Sequence, residues 1–416
     1  MKRPFVAALV IGALVSVVVI ALHAFRLTWP LDEALIGALA GHGLPTRIVT
    51  AKLQYLLVVM LAFGVAWLVA ESINRRRLIW PLVILAVELF AVAWICVLYD
   101  LFFQPLPSLL AAGLAFGLAH FYFNYVRRSR SHLGDQLFSG RLSAAGVDAI
   151  VSGDLPFQPE ARSYEVTAVV CDIANKHDLA EECEPEMFGR ITQKFIQHAT
   201  KSFLDAGAFI ETVTGEGIVA VFGFPAEDAE QAEKATRHAL NLQESFDKRR
   251  AEGKDEIFNR FDIHLGISSG TMVVTPLAEG DQMRLLTTSE PVELARRFCM
   301  ANRFYGSRIL IGPRTFELSS RSVVARPIDF LTGVDVRERH EIYEPLGLAA
   351  EATPEQIARR DSFWNGVVLY REKRWAEAYS QFQKARGPND LDDGPLQLYV
   401  RRLEPLALHL VDGIDE

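Results

Sequence analysis

Four long apolar runs occupy the first 126 residues of the 416-residue chain and constrain its fold more than any other feature. Each is close to the length of about 20 residues that a helix needs to cross the hydrocarbon core of a bilayer. The runs cover residues 4–25, 53–73, 78–99 and 105–126. The first run is longer than the apolar part of a signal peptide, about 7–15 residues, and further runs follow it. The sequence therefore predicts a four-helix transmembrane domain over residues 1–126.

The basic residues predict the orientation of these spans. With four spans, all three basic clusters fall on one side of the membrane, at residues 2–3, 75–77 and 127–130. Such clusters mark the cytoplasmic side. We therefore expect a multi-pass protein of the inner (plasma) membrane with both termini in the cytoplasm. The outer side has a loop over residues 26–52 and a turn at 100–104, and neither can hold a folded sensor domain.

Glu88 lies in the middle of the third span. A charged group at this depth is costly and often functional, and a small transporter is one hypothesis that it raises. The simpler interpretation is a carboxyl group that is hydrogen-bonded inside the helix bundle or at a dimer seam. We prefer the simpler interpretation, because one intramembrane acid is thin support for transport.

Composition argues against a nucleic-acid partner. The chain has 51 acidic and 43 basic residues, for a net charge of -8, and no basic stripe follows residue 140. Nucleic-acid binding needs such a stripe. The cysteines form no C-x-x-C pair and do not stand beside spaced histidines, so neither a zinc site nor a disulfide framework is predicted. Scattered reduced thiols suit a cytoplasmic location for the soluble part.

The rest of the sequence changes to short strand-like and helical patterns. Residues 127–162 are predicted to form a polar cytoplasmic connector with one short helix near 142–151. A domain over residues 163–347 follows, and its element order favours an α+β sandwich with helices on one face. The predicted strands are 166–171, 209–213, 218–222, 261–268, 308–311, 323–328 and 341–346, and residues 270–274 either continue strand 261–268 or pair with it. The predicted helices are 185–206, 228–248, 291–300 and 315–319.

The tail, residues 351–416, is predicted to be helical between 354 and 410. Its apolar residues are spaced as in a helix pair and resemble one tetratricopeptide-type unit. A single unit of this kind cannot build a solenoid. We therefore expect a helical pair that docks on the preceding domain.

The segment from about 160 to 347 resembles the catalytic domain of class III adenylate and guanylate cyclases. The family's first strand, which ends in a metal-binding aspartate, is similar to VTAVVCDI (166–173). Its hairpin, which bears the second acid, and the next helix are similar to IETVTGEGIVAVFGFPAEDAEQAEKATRHALNLQ (210–243). The order is completed by FDIHLGISSGTMVV (261–274), PVELARRF (291–298) and YGSRILIG (305–312). The resemblance implies a ferredoxin-like α+β domain in a multi-domain chain, between the transmembrane bundle and the helical pair.

The resemblance also implies a reaction. In the family the ribose 3′-hydroxyl of a nucleoside triphosphate attacks the α-phosphate, which gives a 3′,5′-cyclic nucleotide and expels pyrophosphate. Two Mg²⁺ or Mn²⁺ ions bridge the triphosphate and are held by carboxylates, because such ions prefer hard oxygen ligands. The family's site forms between two subunits, so the implied partners are a nucleoside triphosphate, with ATP favoured, and a second cyclase chain.

Two of the family's positions match in this sequence and a third is close. Asp172 matches the first metal aspartate, and Arg297 matches the arginine that meets charge on the α-phosphate. Glu216 stands at the second metal position, where the family almost always has aspartate. The extra methylene moves its oxygens by about 1.5 Å.

Three further positions depart from the family's pattern. Glu293 replaces the asparagine that orients the ribose, so an acceptor-only anion stands where the family has an amide donor. Thr212 stands at the lysine that recognises the base, and Leu286 at its polar partner. Leucine offers no hydrogen bond to any base.

Two hypotheses of different classes remain open. The first is a membrane-anchored nucleotidyl cyclase with altered base selection, built as a homodimer. The second is a catalytically degenerate pseudo-cyclase that acts as a dimerising or regulatory module, for example in a heterodimer with an intact cyclase. Asp172 and Arg297 favour turnover, whereas Thr212, Leu286 and Glu293 favour its loss.

Overall fold

The computed structural model describes residues 3–40, 47–72, 78–155, 157, 160–215, 217–253, 256–279, 282–332, 338–388 and 393–412. The chain divides into two compact units, Met1–Ser131 and His132–Glu416. We call them the first and the second unit. The boundary falls inside one helix, Pro105–Phe138.

The first unit is built from long apolar helices. Four of its helices are long and apolar enough to cross a membrane, as the sequence predicts. In chain order its elements are α1 Arg3–Ala24, α2 Trp29–Ala40, β1 Arg47–Ile48, α3 Ala51–Glu71, α4 Ile79–Leu98, β2 Leu101–Phe102 and α5 Pro105–Phe138. The sequence analysis had assigned residues 26–52 to a loop and so missed α2.

Small and β-branched side chains form the interior of the first unit. Val19 of α1, Ala62 of α3 and Ala115 of α5 are fully buried in one apolar cluster. Gly12 lets α1 approach α3 closely, because an added Cβ would lie 2.8 Å from the ring of Phe63. The outward sides of the helices carry large exposed apolar residues, which suits a lipid environment.

The second unit contains one mixed sheet and nine helices that begin within its described residues. Its strands are β3 Arg162–Ile173, β4 Phe209–Val213, β5 Gly217–Phe222, β6 Ile263–Glu279, β7 Gln282–Ser289, β8 Ile309–Ile311, β9 Val323–Thr332 and β10 Arg339–Leu348. Its helices are α6 Ala144–Ser152, α7 Lys176–Glu182, α8 Pro185–Asp205, α9 Gln231–Glu252, α10 Glu290–Tyr305, α11 Pro313–Ser319, α12 Pro354–Arg371, α13 Trp375–Lys384 and α14 Gly394–Asp412. The sequence analysis missed β7 and α7.

The strands follow the order β4-β5-β3-β6-β8-β10-β9, and β7 pairs with β6. Only β6 and β8 run parallel within this sheet. Alternate residues of the central strand β3 face opposite sides. Val169 packs in the core that α8 and α9 cover, whereas Val170 packs against α10. Helices therefore cover both faces, and the predicted arrangement with helices on one face is wrong.

The segment before β3 does more than connect. Leu137, Phe138 and Ile150 are buried in a cluster with residues of β3, β4 and β5. The ring of Phe138 lies 6.1 Å from that of Phe209, centroid to centroid. This segment thus belongs to the packed interior of the second unit, although its sequence was interpreted as a polar connector.

The tail contains three helices in its described residues, rather than the predicted pair. Phe363, Phe382 and Tyr399, one from each helix, contact one another through their rings. Their cluster includes Leu310 and Ile328 of the sheet, and the Tyr399 hydroxyl donates to the carbonyl of Ile328 at 2.6 Å. The tail is therefore packed on the sheet. The prediction missed α14 because a helical pair at repeat spacing gives no sign of a third element.

A buried ion-pair network joins this tail to the sheet. The Arg326 guanidinium of β9 donates to Glu344 of β10 at 2.7 and 2.9 Å. It also donates to Asp393, just before α14, at 2.6 and 2.8 Å. The Arg326 side chain is only 7% exposed, and its guanidinium lies 4.3 Å from the ring centroid of Phe363. One cation thus satisfies two carboxylates away from water.

We predict that Arg326→Met lowers the free energy of unfolding of the second unit by about 3 kcal/mol, the lower end of the range for buried pairs, because two partly buried carboxylates lose their counter-charge. The measurement is the thermal unfolding of the full chain. The matched control is Arg374→Met, since Arg374 also pairs with two carboxylates, Glu372 and Glu377, but at the surface. That change should leave the thermal unfolding midpoint almost unchanged, because solvent screens exposed ion pairs. Equal effects of the two substitutions would contradict the assignment of the buried network.

Candidate functional site

Helix α10 carries two of the predicted site residues and lies directly on the sheet. The Ser289 side chain caps its first turn by accepting from Val292 N, and Gly306 ends it at φ 68°. At Gly266 of β6 an added Cβ would lie 2.0 Å from the carbonyl oxygen of Ala295. Only glycine permits this approach. We call the side of the sheet that α10 covers the α10 face.

A buried amide fixes the position of α10 along β6. Asn302 is fully buried, and its side-chain nitrogen donates to the carbonyl of Leu265 at 2.9 Å. Its side-chain oxygen accepts from the Ser307 hydroxyl at 2.8 Å. Both polar ends of the amide are thus paired inside the protein. The sequence analysis gave Asn302 no role, since a single asparagine in a helix carries no visible signal.

Asp172 stands at the end of β3, next to last in the strand. It lies opposite Gly217 of β5 and His264 of β6. Its side chain is half-buried and covers Gly217 so closely that a Cβ there would lie 1.7 Å from its Oδ1. By strand alternation Asp172 shares the side of Val170, which is the α10 face. The predicted metal aspartate thus lies at a strand end beside the helix that bears Arg297.

Glu216, the second predicted metal acid, lies outside the described residues. Its neighbour Gly217 is described and is the register partner of Asp172. Convergence of the two acids on shared cations therefore stays a prediction.

The groups around Asp172 are kept neutral. Burial raises the pKa of the Cys299 thiol of α10, and the charge of Asp172 raises it further. The pKa of the Cys171 thiol is raised by the same two causes. Burial lowers the pKa of His264 to about 4. At neutral pH the two thiols and the His264 imidazole therefore carry no charge. A carboxylate beside protonated thiols suits a hard cation such as Mg²⁺ better than a soft one.

Arg297 and Glu293 lie four residues apart on α10, on one side of the helix. Glu293 is exposed and Arg297 is half-buried. The Arg297 Nη1 donates to the carbonyl oxygen of Thr332, the last residue of β9, at 3.3 Å. One contact of the predicted transition-state arginine is therefore with the β9–β10 hairpin.

Thr212, one of the two predicted base-recognition positions, shares a carboxylate with the neighbour of the other position, Leu286. The Thr212 hydroxyl donates to the side chain of Glu211, its neighbour in β4. The Thr287 hydroxyl, next to Leu286 in β7, donates to the same carboxylate at 2.8 Å. Leu286 itself is 56% exposed and offers no polar atom. The structure thus brings Thr212 and Thr287 together at Glu211. By strand alternation the side chain of Leu286 faces away from that of Thr287.

The sequence analysis missed Glu211. A β-bulge between Ile210 and Thr212 disturbs the alternation of side chains at this point. Arg141 supports the same stretch, because its Nη2 donates to the Glu211 carbonyl oxygen at 2.6 Å. Adjacency to Thr212 was the only available signal, and it did not reveal the bulge.

The chain is similar in sequence to known adenylate cyclases. "Adenylate cyclase, terminal-differentiation specific" of Dictyostelium discoideum is 26% identical over 274 residues, 64% of this chain and 12% of that protein. "Adenylate cyclase 1" of Rhizobium meliloti (strain 1021) is 25% identical over 188 residues, 44% of this chain and 28% of that protein. The chain thus spans less than a third of the length of either relative. No protein-family model matches.

Among solved structures, the guanylyl cyclase Cya2 aligns with a TM-score of 0.40 and 17% identity, over 47% of this chain and 98% of Cya2. The adenylyl cyclase CyaB from P. aeruginosa aligns with a TM-score of 0.40 and 20% identity, over 47% of this chain and 100% of CyaB. The sequence similarity to adenylate cyclases agrees with the resemblance that the motifs predict.

We predict that Gly217→Ala displaces the Asp172 side chain. The added Cβ would lie 1.7 Å from Asp172 Oδ1 and 2.5 Å from the Cys171 carbonyl oxygen, and the backbone atom cannot yield cheaply. Overpacking of this kind costs about 1–3 kcal/mol, which a fall in the thermal unfolding midpoint would measure. Gly189→Ala is the control, because nothing lies within 4 Å of a Cβ at this helical position. That change should stabilise α8 by about 0.5–1 kcal/mol. A Gly217→Ala variant as stable as the control would contradict the prediction.

Proposed function

We propose that this homologue of class III cyclases is a membrane-anchored nucleotidyl cyclase. It converts a nucleoside triphosphate, with ATP favoured, to a 3′,5′-cyclic nucleotide and pyrophosphate. The observation that carries the proposal is the placement of Asp172 at the end of β3, on the face that α10 covers with Arg297. Sequence similarity to adenylate cyclases of two organisms supports the same reaction.

In the proposed reaction the ribose O3′ forms a bond to the α-phosphorus, and the bond from that phosphorus to the bridging oxygen of the β-phosphate breaks. The 3′-hydroxyl proton passes to solvent, and pyrophosphate leaves. Divalent cations, when bound, supply charge neutralisation and lower the pKa of the attacking hydroxyl. Asp172 would hold them through its carboxylate, and Glu216 is proposed as its companion.

Arg297 would stabilise the charge on the α-phosphate oxygens in the transition state. To do so it exchanges its hydrogen bond to the Thr332 carbonyl for one to a phosphate oxygen. The exchange is favourable, because a charge-assisted bond to an anion is stronger than a bond to a neutral carbonyl. The β9–β10 hairpin would thus hold Arg297 until substrate arrives.

Base and ribose recognition separates the two candidate activities. Thr212 already donates to Glu211, Leu286 has no polar atom, and Glu293 is an exposed anion. A site with these residues would bind adenine weakly, and the negative charge of Glu293 would repel the triphosphate. This supports the second candidate, a degenerate pseudo-cyclase that regulates a partner. We place the enzyme first because Asp172 and Arg297 are both present.

The basic clusters at 2–3, 75–77 and 127–130 support an inner-membrane location with the second unit in the cytoplasm, where nucleoside triphosphates are available. The catalytic site is proposed to form between two copies of the chain, or between this chain and an intact cyclase. Composition speaks against a nucleic-acid partner.

We predict that the purified full chain, with Mg²⁺ or Mn²⁺ and each nucleoside triphosphate in turn, forms cyclic nucleotide and pyrophosphate in equal amounts. Asp172→Ala and Arg297→Ala should each lower the rate by about 100-fold or more, because each removes a charge from the transition state. Chromatography of the nucleotide and a pyrophosphate assay measure the products.

The matched controls are Asp178→Ala in α7 and Arg303→Ala, which lies further along α10, since both side chains are exposed. They should retain the wild-type rate. No product with any nucleotide, at a concentration that ensures dimers, would rule out turnover by this chain alone and leave the pseudo-cyclase. Product that survives Asp172→Ala would reject the assigned metal site.

We further predict that Thr212→Lys combined with Glu293→Asn raises the rate, because the pair restores a cation for the base and an amide for the ribose. Hydrogen bonds to charged groups contribute about 1.5–3 kcal/mol, which corresponds to a gain of roughly 10- to 100-fold. Thr212→Met with Glu293→Asn is the control, since methionine has similar length and no charge. An unchanged rate in the folded double mutant would show that more than substrate contacts has been lost.

A further inference from the structure

Helix α4 is the least covered of the four long helices in the first unit. Only 11% of its most apolar 18-residue stretch is buried inside the protein, compared with 28–39% of the corresponding stretch in the other three helices. Its buried residues, Leu89 and Ala93, lie on one side and pack with Phe103. The remaining circumference of α4 faces outward.

Glu88 lies on this outward side. It is the tenth of the 20 residues of α4, so it sits halfway along a helix that is long enough to span the hydrocarbon core. The side chain is exposed and makes no hydrogen bond or ion pair within the described part of the chain. Among the described residues, nothing satisfies the Glu88 carboxyl inside the helix bundle, which favours the dimer seam of the sequence analysis.

The residues in line with Glu88 repeat at alternating steps of three and four. This is the spacing of positions a and d of a heptad, which form the seam between two packed helices. All six residues of the line are exposed, namely Pro81, Ile84, Glu88, Ala91, Ile95 and Leu98. Ala93, two residues from Ala91, lies on the opposite, buried side. The helix therefore has one side for its own unit and a separate, coiled-coil-like side.

We infer that this line of α4 is the contact between two copies of the chain in the membrane, with Glu88 of each copy hydrogen-bonded to Glu88 of the other. A two-fold axis along the seam places identical residues opposite each other. A hydrogen-bonded pair of carboxyl groups satisfies both groups away from water. A single polar residue at a seam also fixes the register of the helices.

A pairing of α4 helices is independent of whether the chain forms a cyclic nucleotide, because it follows from Glu88 alone. Exposed apolar residues along a span need no partner, because lipid covers them as well as protein does. Glu88 is different, because hydrocarbon offers it no hydrogen bond. Ala91, one turn away, is small enough to let two backbones approach. A second copy is the occupant that supplies a matching polar group at the same depth without any other chain.

The test is disulfide cross-linking of the full chain in its native membrane. The background variant carries Cys96→Ala and Cys183→Ala, which removes the two cysteines that are not fully buried. Ala91→Cys and Ala93→Cys form a matched pair at nearly the same depth on opposite sides of α4. Because a disulfide needs Cβ atoms about 4 Å apart, oxidation should give at least about fivefold more covalent dimer with Ala91→Cys.

The role of Glu88 is tested by measuring the yield of covalent dimer for Glu88 variants that also carry Ala91→Cys. Glu88→Gln keeps a donor and an acceptor and should preserve the dimer yield. Glu88→Val removes both and should lower it by about three- to tenfold, the range that intramembrane hydrogen bonds give. Equal yields from Ala91→Cys and Ala93→Cys, or no dimer from either, would overturn the seam. A yield that Glu88→Val leaves unchanged would overturn the pairing of the two carboxyls.

Discussion

The close approach of α10 to β6 is the contact on which the candidate site depends. Gly266 removes the Cβ that would otherwise meet the backbone of Ala295, and Asn302 fixes the helix along the strand. These two residues set the position of α10 and therefore of its predicted site residues, Glu293 and Arg297. If α10 lay about 1 Å further from the sheet, the geometry at the reacting atoms would be lost, and catalysis is highly sensitive to such a shift.

The sheet itself is held from both sides and from its ends. Helices α8 and α9 cover one face, and α10 shares the other face with the segment around Phe138 and with the tail. The buried charges of Arg326, Glu344 and Asp393 fix the tail to β9 and β10. The same β9 ends at Thr332, whose carbonyl accepts from Arg297. The tail and Arg297 thus both make contacts to β9.

The candidate site combines groups that suit catalysis with groups that do not. Asp172 lies on the α10 face near the neutral thiol of Cys299, which is compatible with the proposed binding of a hard cation. In the region proposed to bind the base, the polar groups are instead bonded to one another, because Thr212 and Thr287 both donate to Glu211. A nucleotide base has to compete with these internal bonds. Under the proposed function, the departures at Thr212, Leu286 and Glu293 would affect recognition of the base and the ribose, and the change at Glu216 would affect the metal site.

The sequence by itself determined the four apolar helices, most strands and helices of the second unit, and the positions of Asp172 and Arg297, because periodicity and motif order are local properties. Tertiary structure alone decided that helices cover both faces, that the segment around Phe138 is buried, and that the tail has a third helix. It also revealed Glu211, which accepts a hydrogen bond from Thr287, 76 residues away along the chain. These features depend on contacts between residues that are distant in the chain. The periodicity of the sequence does not show which distant residues come into contact.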